Sequence, residues 1–369
     1  MRELRAWIIL GWRFVLYFAY RLGLRKCPTF LDIYPEGVIV FDRIMNWPKS
    51  LRVEGAQNCP ASGPAIFAGN HQKKDDPFVM YRAIHRVTNG SYPVRYMMRD
   101  DFFKGLAGIM KSRILDVDEL ARLVGSLQIS RERVHLSQIK PFISLLREHG
   151  SFIMYPGRSR TRTGVFIEYR DNIDEPGGVT FLIAQAQRGR PDLRVPAVPM
   201  TRTYNPVTRK SAVIFGEPQY LAHDADRQAQ RDMDFKMIEL MGGLLEINAA
   251  HLVAGILYLR SLHGVRAPAS IPCYETAVTS AVECCSNRRI DPALRSDASG
   301  ETKSTLRYFE GAGMISMIEQ QVVPNVESIL HAPEHDRDYH RRNPVKYLVN
   351  QFLHLPDVIE AIEEAASTF

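Results

Sequence analysis

The chain has 369 residues, of which 45% are hydrophobic and 24% charged, a composition typical of one large globular domain or two ordinary ones. The formal net charge of +6 suits an anionic membrane, an acidic carrier protein or a phosphorylated substrate, and it is too small to indicate nucleic-acid binding. The five cysteines show no spacing typical of a zinc site, which favours reduced thiols in a cytosolic compartment.

The first predicted element is an apolar run from Trp7 to Tyr20 that Arg13 interrupts. Spanning a bilayer takes about 20 apolar residues, and a central arginine opposes insertion by about 3 kcal/mol, so a membrane span is not expected. Arginines and aromatic residues fall on opposite sides of a helical wheel, and a basic cluster follows near residue 25. We therefore predict that residues 1–26 form an amphipathic helix on an anionic membrane surface. The alternatives are a secretory signal, a buried helix of the globular domain and a tilted membrane anchor.

The next segment, residues 27–50, contains Pro28, Pro35 and Pro48, which predicts a connector without a long helix. From about residue 50, short apolar runs alternate with helical patterns. Strands are expected near 51–53, 65–68, 94–98, 125–129, 151–155, 195–199 and 212–215, and helices at 76–85, 139–148 and 181–188. This alternation predicts an α/β domain over residues 27–225, with a mainly parallel mixed sheet flanked by helices.

The remaining residues, 226–369, are predicted to form a helical C-terminal extension. Helical patterns cover 226–263 and about 340–366. Prolines and the polar run Ser296–Lys303 predict a loop over 264–305.

A histidine and an aspartate follow the second predicted strand, in the sequence NHQKKDDP at residues 70–77. Acyl transfer to an alcohol needs a base near the hydroxyl, and a histidine of pKa about 6.5 suits neutral pH. A carboxylate on the other ring nitrogen fixes the tautomer and stabilises the imidazolium. Asp76 is expected to cap the following helix, so the intervening turn can bring its carboxylate back onto His71. The pair predicts a catalytic dyad; a helix-capping aspartate beside an ordinary loop histidine is the alternative.

At this point residues 52–77, RVEGAQNCPASGPAIFAGNHQKKDDP, resemble the first sequence block of the glycerophospholipid acyltransferases. The resemblance implies an acyltransferase-like fold, with His71 as general base, Asp76 as its orienting carboxylate and no covalent acyl-enzyme. It also implies a fatty acyl thioester as co-substrate, on coenzyme A or on acyl carrier protein, and neither a cofactor nor a metal.

Residues 125–131, GSLQISR, resemble the second block of that family, GxxxIxR. The resemblance implies that Arg131 helps to hold the phosphate of the acceptor; an ordinary surface arginine is the alternative. Two other cations are candidates for phosphate contacts. They are Arg99, after the third predicted strand, and Lys74, beside the histidine, although solvated lysines are common.

Residues 155–164, YPGRSRTRTG, resemble the third block, in which arginines alternate with hydroxyl residues. Arginine forks bind phosphate oxygens through paired hydrogen bonds, so Arg158, Arg160 and Arg162 are predicted to bind substrate, with Arg160 the main contact. A solvated basic loop is the alternative. Gly157 replaces the glutamate that is usual in this block, so the motif does not define the acceptor.

Three further segments resemble this family. Residues 195–200, VPAVPM, resemble its fourth block, which is expected to pack around the acyl chain or the thioester, or to be a plain core strand. Residues 248–257, NAAHLVAGIL, and 346–354, KYLVNQFLH, resemble segments of glycerol-3-phosphate and dihydroxyacetone-phosphate acyltransferases. The resemblance therefore favours the glycerol-3-phosphate type over the small lysophosphatidate enzymes.

The sequence thus predicts an O-acyltransferase that moves a fatty acyl group from an acyl thioester to a hydroxyl of glycerol 3-phosphate or a related acceptor in phospholipid synthesis. Its expected partners are the two substrates, acyl carrier protein and an anionic membrane surface, with no nucleic acid. Its expected place is the cytoplasmic face of a membrane, as a peripheral or monotopic protein. A lysophospholipid acyltransferase and a non-catalytic lipid-binding protein of the same fold are the alternatives.

Overall fold

The computed structural model describes residues 2–44, 50–99, 116–129, 136–157, 160–167, 178–333 and 339–367. The helices of the N-terminal two thirds are α1 (Arg2–Arg21), α2 (Phe30–Ile44), α3 (Asp76–Val87), α4 (Val117–Leu123), α5 (Leu136–Arg147), α6 (Val179–Gln187) and α7 (Arg227–Gly243). Those that follow are α8 (Ala249–Leu262), α9 (Ile271–Cys284), α10 (Pro292–Ser296), α11 (Ala298–Gly311), α12 (Val326–Leu330), α13 (Tyr339–Arg342), α14 (Pro344–Phe352) and α15 (Pro356–Ala366).

The strands form one large sheet and one small sheet. The large sheet contains β1 (Leu51–Glu54), β2 (Ala65–Gly69), β3 (Val94–Arg99), β4 (Ser126–Ile129), β5 (Ser151–Met154), β6 (Pro196–Asn205), β7 (Lys210–Phe215) and β8 (Gln219–Tyr220). Its order is β1-β7-β6-β2-β5-β3-β4, with β8 beside β6. The small sheet contains β9 (Ala269–Ser270), β10 (Ile315–Ile318) and β11 (Gln321–Pro324).

The large sheet is mainly parallel, because β2 pairs in parallel with both β5 and β6, and β3 pairs in parallel with β4 and β5. Among the described strands of the large sheet, only the β6 pairings with β7 and β8 are antiparallel. Helices cover both faces. Phe67 of β2 packs with Met80 of α3 on one face, and Ile66 packs with the helices of the other face and of the C-terminal extension. The predicted α/β class and its helical C-terminal region are confirmed.

The prediction of a connector without a long helix over residues 27–50 is wrong, because α2 continues through Pro35. Phe30, Ile33 and Tyr34 are buried, and the Tyr34 hydroxyl donates a hydrogen bond of 2.9 Å to the carbonyl oxygen of Tyr92. A proline removes one intrahelical hydrogen bond, and the burial of these side chains offsets that cost.

The loop predicted over residues 264–305 is also wrong, because α9, α10 and the first half of α11 lie there. Pro272 and Pro292 occupy the first turns of α9 and α10, where a proline costs no intrahelical hydrogen bond. Asp297 begins α11 by accepting a hydrogen bond of 2.8 Å from the N–H of Gly300. The polar run read as a loop therefore contains the capping site and the first turns of α11, in which Thr302 is buried and Lys303 is exposed.

The N-terminal helix α1 packs on α2 through Ala6, Leu10 and Tyr17, which are buried. Its opposite side is exposed and apolar, with side chains that include Trp7, Ile8, Trp12, Val15 and Phe18. Among the residues that the structure describes, no helix is both long enough and apolar enough to cross a membrane.

Candidate active site

The candidate site lies at the edge of the large sheet where the parallel strands end. The backbone after β2 leads to His71, and the backbone after β5 leads to Tyr155. Gly69, the last residue of β2, pairs with Met200 of β6, so Arg202 lies just beyond the end of β2. In open α/β sheets, ligands bind outside the carboxyl ends of the strands, which is where these side chains meet.

His71 and Asp76 form the predicted pair, with 3.1 Å between His71 Nδ1 and Asp76 Oδ2. The same carboxylate oxygen accepts hydrogen bonds of 2.6 Å each from the backbone N–H groups of Gln72 and Lys73. Asp76 lies in the first turn of α3, and Asp75 occupies the capping position. The expectation that Asp76 caps α3 is therefore wrong: its carboxylate fixes the turn that leads from the histidine into the helix.

Arg202 holds Asp76 from the other side. Its NH1 donates a hydrogen bond of 2.7 Å to Asp76 Oδ1, and its NH2 donates one of 2.7 Å to Asp75 Oδ2. Burial alone would raise the pKa of Asp76, but Arg202, His71 and the backbone N–H of Lys73 lower it more, so the net pKa lies below the usual range. Asp76 is thus ionised at neutral pH and can stabilise a positively charged histidine.

The His71 ring stacks on the ring of Tyr155, with 4.4 Å between centroids and 24° between planes. The side chain of His71 is 20% exposed, whereas that of Asp76 is 2% exposed. Because Asp76 engages Nδ1, the tautomer assigned from this hydrogen bond leaves Nε2 as the acceptor available to a substrate. Beside the ring, Gln72 Nε2 and the Tyr155 hydroxyl are buried without a hydrogen-bond partner among the described residues.

The two lysines next to His71 differ in their surroundings. Lys73 is half-buried, and its Nζ lies 3.2 Å from the centroid of the Tyr204 ring, a cation–π contact. Burial, partly opposed by Asp75, lowers the pKa of Lys73 to about 8. Lys74 is exposed in the turn before α3.

The segment 160–167 carries two of the predicted arginines and touches the histidine. The N–H of Thr161 donates a hydrogen bond of 2.8 Å to the carbonyl oxygen of His71. Arg160 and Arg162, on either side of Thr161, are half-buried. Burial raises the pKa of the Tyr347 phenol, and the nearby charge of Arg160 opposes that rise, which places Arg160 beside the same site.

The structure does not place every predicted cation. Arg131 and Arg158 lie outside the described residues. Arg99 ends β3 at the same edge of the sheet as the histidine, but its side chain also lies outside the described parts. Their roles stay predictions. Within the described ranges, no group of three His, Cys, Asp or Glu side chains is arranged to hold a metal ion.

Sequence reasoning missed Arg202 and Asp75. The sequence did contain a signal for Arg202, because a charged residue close to a strand that is expected to be buried needs a partner. In the structure Arg202 lies within β6 and is 2% exposed. Asn70, also buried, ties the two segments together: its Nδ2 donates to the carbonyl oxygen of Arg202 at 3.0 Å, and its Oδ1 accepts from the Arg202 N–H at 2.8 Å. No sequence pattern predicted that pairing.

Comparison with known proteins agrees with this site. Residues 50–202 match the family described as Acyltransferase, and no curated protein matches the sequence. Among solved structures, the chain is similar to the 1-acyl-sn-glycerophosphate (LPA) acyltransferase PlsC from Thermotoga maritima, with a TM-score of 0.38 and 14% identity, covering 65% of this chain and 95% of that one. The matched segment contains His71, Asp76 and Arg202. The similarity to this family therefore covers the part of the chain that carries the candidate site.

Proposed function

We propose that this protein is a membrane-associated O-acyltransferase that moves a fatty acyl group from an acyl thioester to a hydroxyl of glycerol 3-phosphate or a related phosphorylated acceptor. One observation carries the proposal. The Nδ1 atom of His71 lies 3.1 Å from a carboxylate that two backbone N–H groups and a buried arginine hold in place. Such a histidine is oriented to accept a proton at Nε2.

The reaction that fits this geometry has two proton transfers. His71 Nε2 takes the proton of the acceptor hydroxyl as the oxygen attacks the thioester carbonyl carbon, and Asp76 stabilises the imidazolium. The tetrahedral intermediate then collapses, the C–S bond breaks, and the imidazolium returns the proton to the leaving thiolate. The new ester bond and the free thiol are the products, and the histidine returns to its neutral form.

The phosphate of the acceptor is assigned to the arginines of the segment 160–167. Arg160 and Arg162 flank Thr161, whose N–H is bonded to the His71 carbonyl oxygen, so the backbone that carries both arginines lies against the catalytic turn. Fixing a charged phosphate there would hold the hydroxyl near His71, which is an orientation effect. The acyl donor, on coenzyme A or on acyl carrier protein, is part of the proposal and follows from the chemistry of a thioester.

Membrane association is assigned to the exposed apolar side of α1. Trp7 is 44% exposed, Ile8 65% and Trp12 57%, and these side chains follow one another along the helix. Arg5, Arg25 and Lys26 are exposed nearby and would face anionic headgroups. A lipid surface is the occupant that matches both the apolar and the basic side chains, and it is where acylated glycerol phosphates reside.

The test is product formation by the purified full chain with labelled palmitoyl-CoA or palmitoyl–acyl carrier protein and a panel of acceptors. Glycerol 3-phosphate, dihydroxyacetone phosphate, lysophosphatidate and a neutral lysophospholipid form the panel, with products identified by mass. We expect product with glycerol 3-phosphate, and a loss of about 10²–10⁴-fold in His71→Ala without loss of fold. Activity of His71→Ala within a few fold of wild type would remove the general-base assignment.

The same panel separates the alternatives. Product with the lysophospholipids alone would indicate a lysophospholipid acyltransferase, and absence of product with every acceptor would favour a non-catalytic lipid-binding protein. Arg160→Ala adds a check on the acceptor phosphate. We expect it to raise the KM for the acceptor more than the KM for the acyl donor. Equal effects on both KM values would show that Arg160 does not bind the acceptor phosphate.

A further inference from the structure

The helix α14, which lies far along the chain from the family-matched residues 50–202, reaches the candidate active site. It begins at Asn343, whose Nδ2 donates hydrogen bonds of 2.7 and 2.8 Å to the carbonyl oxygens of Ile329 and His331. Tyr347 and Asn350 are three positions apart on α14, so they share a face. That face lies against the segment 160–167.

The contacts between α14 and this segment are close and directional. Asn350 Nδ2 donates a hydrogen bond of 2.9 Å to the carbonyl oxygen of Thr163. Gly164 has a φ of +99°, and a Cβ atom built on it would lie 2.1 Å from the carbonyl oxygen of Tyr347, so only glycine fits there. Beyond the helix, the His354 ring lies 4.5 Å from the ring of the buried Phe166.

The same segment is bonded to the catalytic turn. The Thr161 N–H donates to the His71 carbonyl oxygen at 2.8 Å, and the Thr161 hydroxyl accepts from the Gly164 N–H at 3.1 Å. The Tyr347 hydroxyl donates to the carbonyl oxygen of Gln72 at 3.4 Å. The segment that carries Arg160 is therefore held between the histidine backbone on one side and α14 on the other.

We propose that α14 is a positioning element of the acceptor site, and that Asn350 and Tyr347 are positioning residues that hold the segment 160–167 against His71. The inference rests on the proposed function in one respect, the assignment of the acceptor phosphate to Arg160. It assigns a role to the C-terminal extension: this part of the chain completes a site whose proposed catalytic residues lie within residues 50–202.

The experiment compares two substitutions at neighbouring positions of α14. Asn350→Leu keeps the shape of the side chain and removes the hydrogen bond to Thr163. Gln351→Met, the matched control, removes the 3.1 Å contact between Gln351 Oε1 and His251 Nε2, which lies away from the segment. Both side chains are buried, so both variants lose one buried polar contact.

Hydrogen exchange of the peptide 160–167 in the full-length protein measures directly how firmly this segment is held, and it does not require enzymatic activity. We expect Asn350→Leu to speed exchange of the Thr161 and Gly164 amides by about two- to tenfold, the effect of losing one hydrogen bond, and Gln351→Met to leave it within about twofold of wild type. Equal exchange in the two variants would overturn the proposal. If Asn350→Leu does not fold, Asn350→Ala, which also removes the amide that reaches Thr163, replaces it with the same expectation.

Steady-state kinetics with glycerol 3-phosphate and palmitoyl-CoA then tests the consequence for the acceptor. Asn350→Leu is expected to raise the KM for glycerol 3-phosphate by about two- to tenfold, with kcat and the KM for the thioester within about twofold. Asn350→Gln, which keeps an amide, should recover part of the loss. A KM increase shared by both substrates would contradict a positioning role. Wild-type protein without any product would count against the proposed function, and exchange alone would then decide the role of α14.

Discussion

At the scale of single residues, the site depends on a charged cluster that is almost fully buried. Arg202 and Asp76 are each 2% exposed, and Asp75 is 6% exposed. The Arg202 guanidinium donates one hydrogen bond to each of the two carboxylates. The ammonium group of Lys73 also interacts electrostatically with Asp75 and Asp76. The arginine lowers the pKa of Asp76, which burial alone would raise. The cluster therefore maintains the charge that orients His71.

Replacing Arg202 by methionine would leave Asp75 and Asp76 buried without their cation. We expect Arg202→Met to lower the free energy of unfolding by about 3–5 kcal/mol, the cost of an uncompensated buried charge. Urea unfolding monitored by circular dichroism measures this, with Arg190→Met as the control, because Arg190 pairs with Asp192 at the surface. The control should change little. A similarly small change in the free energy of unfolding of Arg202→Met would show that the buried charged cluster does not stabilise the folded state.

Sequence reasoning reached the local part of this site and missed the distant part. His71 and Asp76 could be predicted because a strand, a turn and an Asp-Pro helix start lie within a dozen residues. Arg202 is 126 residues from Asp76, and only the pairing of β2 with β6 brings them together. A single sequence gives no account of which strands become neighbours, so the partner of the carboxylate could not be identified.

At the scale of elements, the start of α8 shows how the C-terminal extension is built around a buried histidine. Asn248 caps α8 by accepting from the His251 N–H at 3.2 Å, while His251 Nδ1 accepts from the Asn248 N–H at 3.3 Å. The other ring nitrogen meets Gln351 of α14. Burial lowers the pKa of His251 to about 4, so the ring is neutral in the folded protein at neutral pH.

This histidine gives the folded protein a defined dependence on pH. An unfolded histidine has a pKa of about 6.5, so between pH 6.5 and 4 the unfolded chain binds a proton that the folded chain does not. Stability is thus complete above pH 6.5 and is lost as the pH falls towards 4, by about 3 kcal/mol from this residue. His251→Gln keeps a capping side chain and should remove that part of the slope.

Urea unfolding at half-unit steps from pH 7 to pH 4.5 measures the slope. His223→Gln is the control, because His223 is exposed, and it should follow the wild-type curve. Parallel curves for wild type and His251→Gln would show that His251 is not held neutral by burial.

The elements themselves were predicted unevenly, for physical reasons. The apolar runs at 65–68 and 151–155 became β2 and β5, because short β-rich stretches bounded by turns have few other uses. The helices α2, α9 and α11 were missed, because proline and polar residues were read as breaks. In the structure Pro272 lies in the first turn of α9, Asp297 caps α11, and the packing of α2 offsets the cost of Pro35. Which side of a segment is buried depends on neighbours that the sequence does not reveal.

At the scale of the whole molecule, the exposed large hydrophobic side chains are concentrated in the N-terminal part of the chain. Eight of the large hydrophobic side chains that are exposed lie between residues 4 and 24, namely Leu4, Trp7, Ile8, Trp12, Val15, Phe18, Leu22 and Leu24. On a helical wheel Arg13 shares one side with Arg2 and Arg5, and in the structure Arg13 lies 3.6 Å from Asp32 of α2. One arginine of α1 therefore contacts α2, and the aromatic side of α1 faces outwards.

The exposed apolar side of α1 and the basic residues near it predict a preference for anionic lipid surfaces. We expect the full chain to co-sediment with vesicles containing phosphatidylglycerol and to bind neutral phosphatidylcholine vesicles more weakly, because the basic residues near the helix add attraction to anionic headgroups. Raising the salt concentration should weaken binding to the anionic vesicles and leave the neutral ones nearly unchanged. Equal binding to both kinds of vesicle would show that the basic residues do not contribute to vesicle binding.

The apolar contribution can be separated from a general effect of surface hydrophobicity. The double substitution Ile8→Glu and Trp12→Glu places two charges on side chains that are 65% and 57% exposed, so folding should tolerate it. The matched control is Leu262→Glu with Ile318→Glu, at side chains that are 57% and 61% exposed but lie in the C-terminal extension. Burial of one such side chain is worth about 1.5–3 kcal/mol, so the first variant should lose tenfold or more in vesicle affinity and the control should lose little. If both variants lose affinity equally, α1 is not the membrane-binding surface.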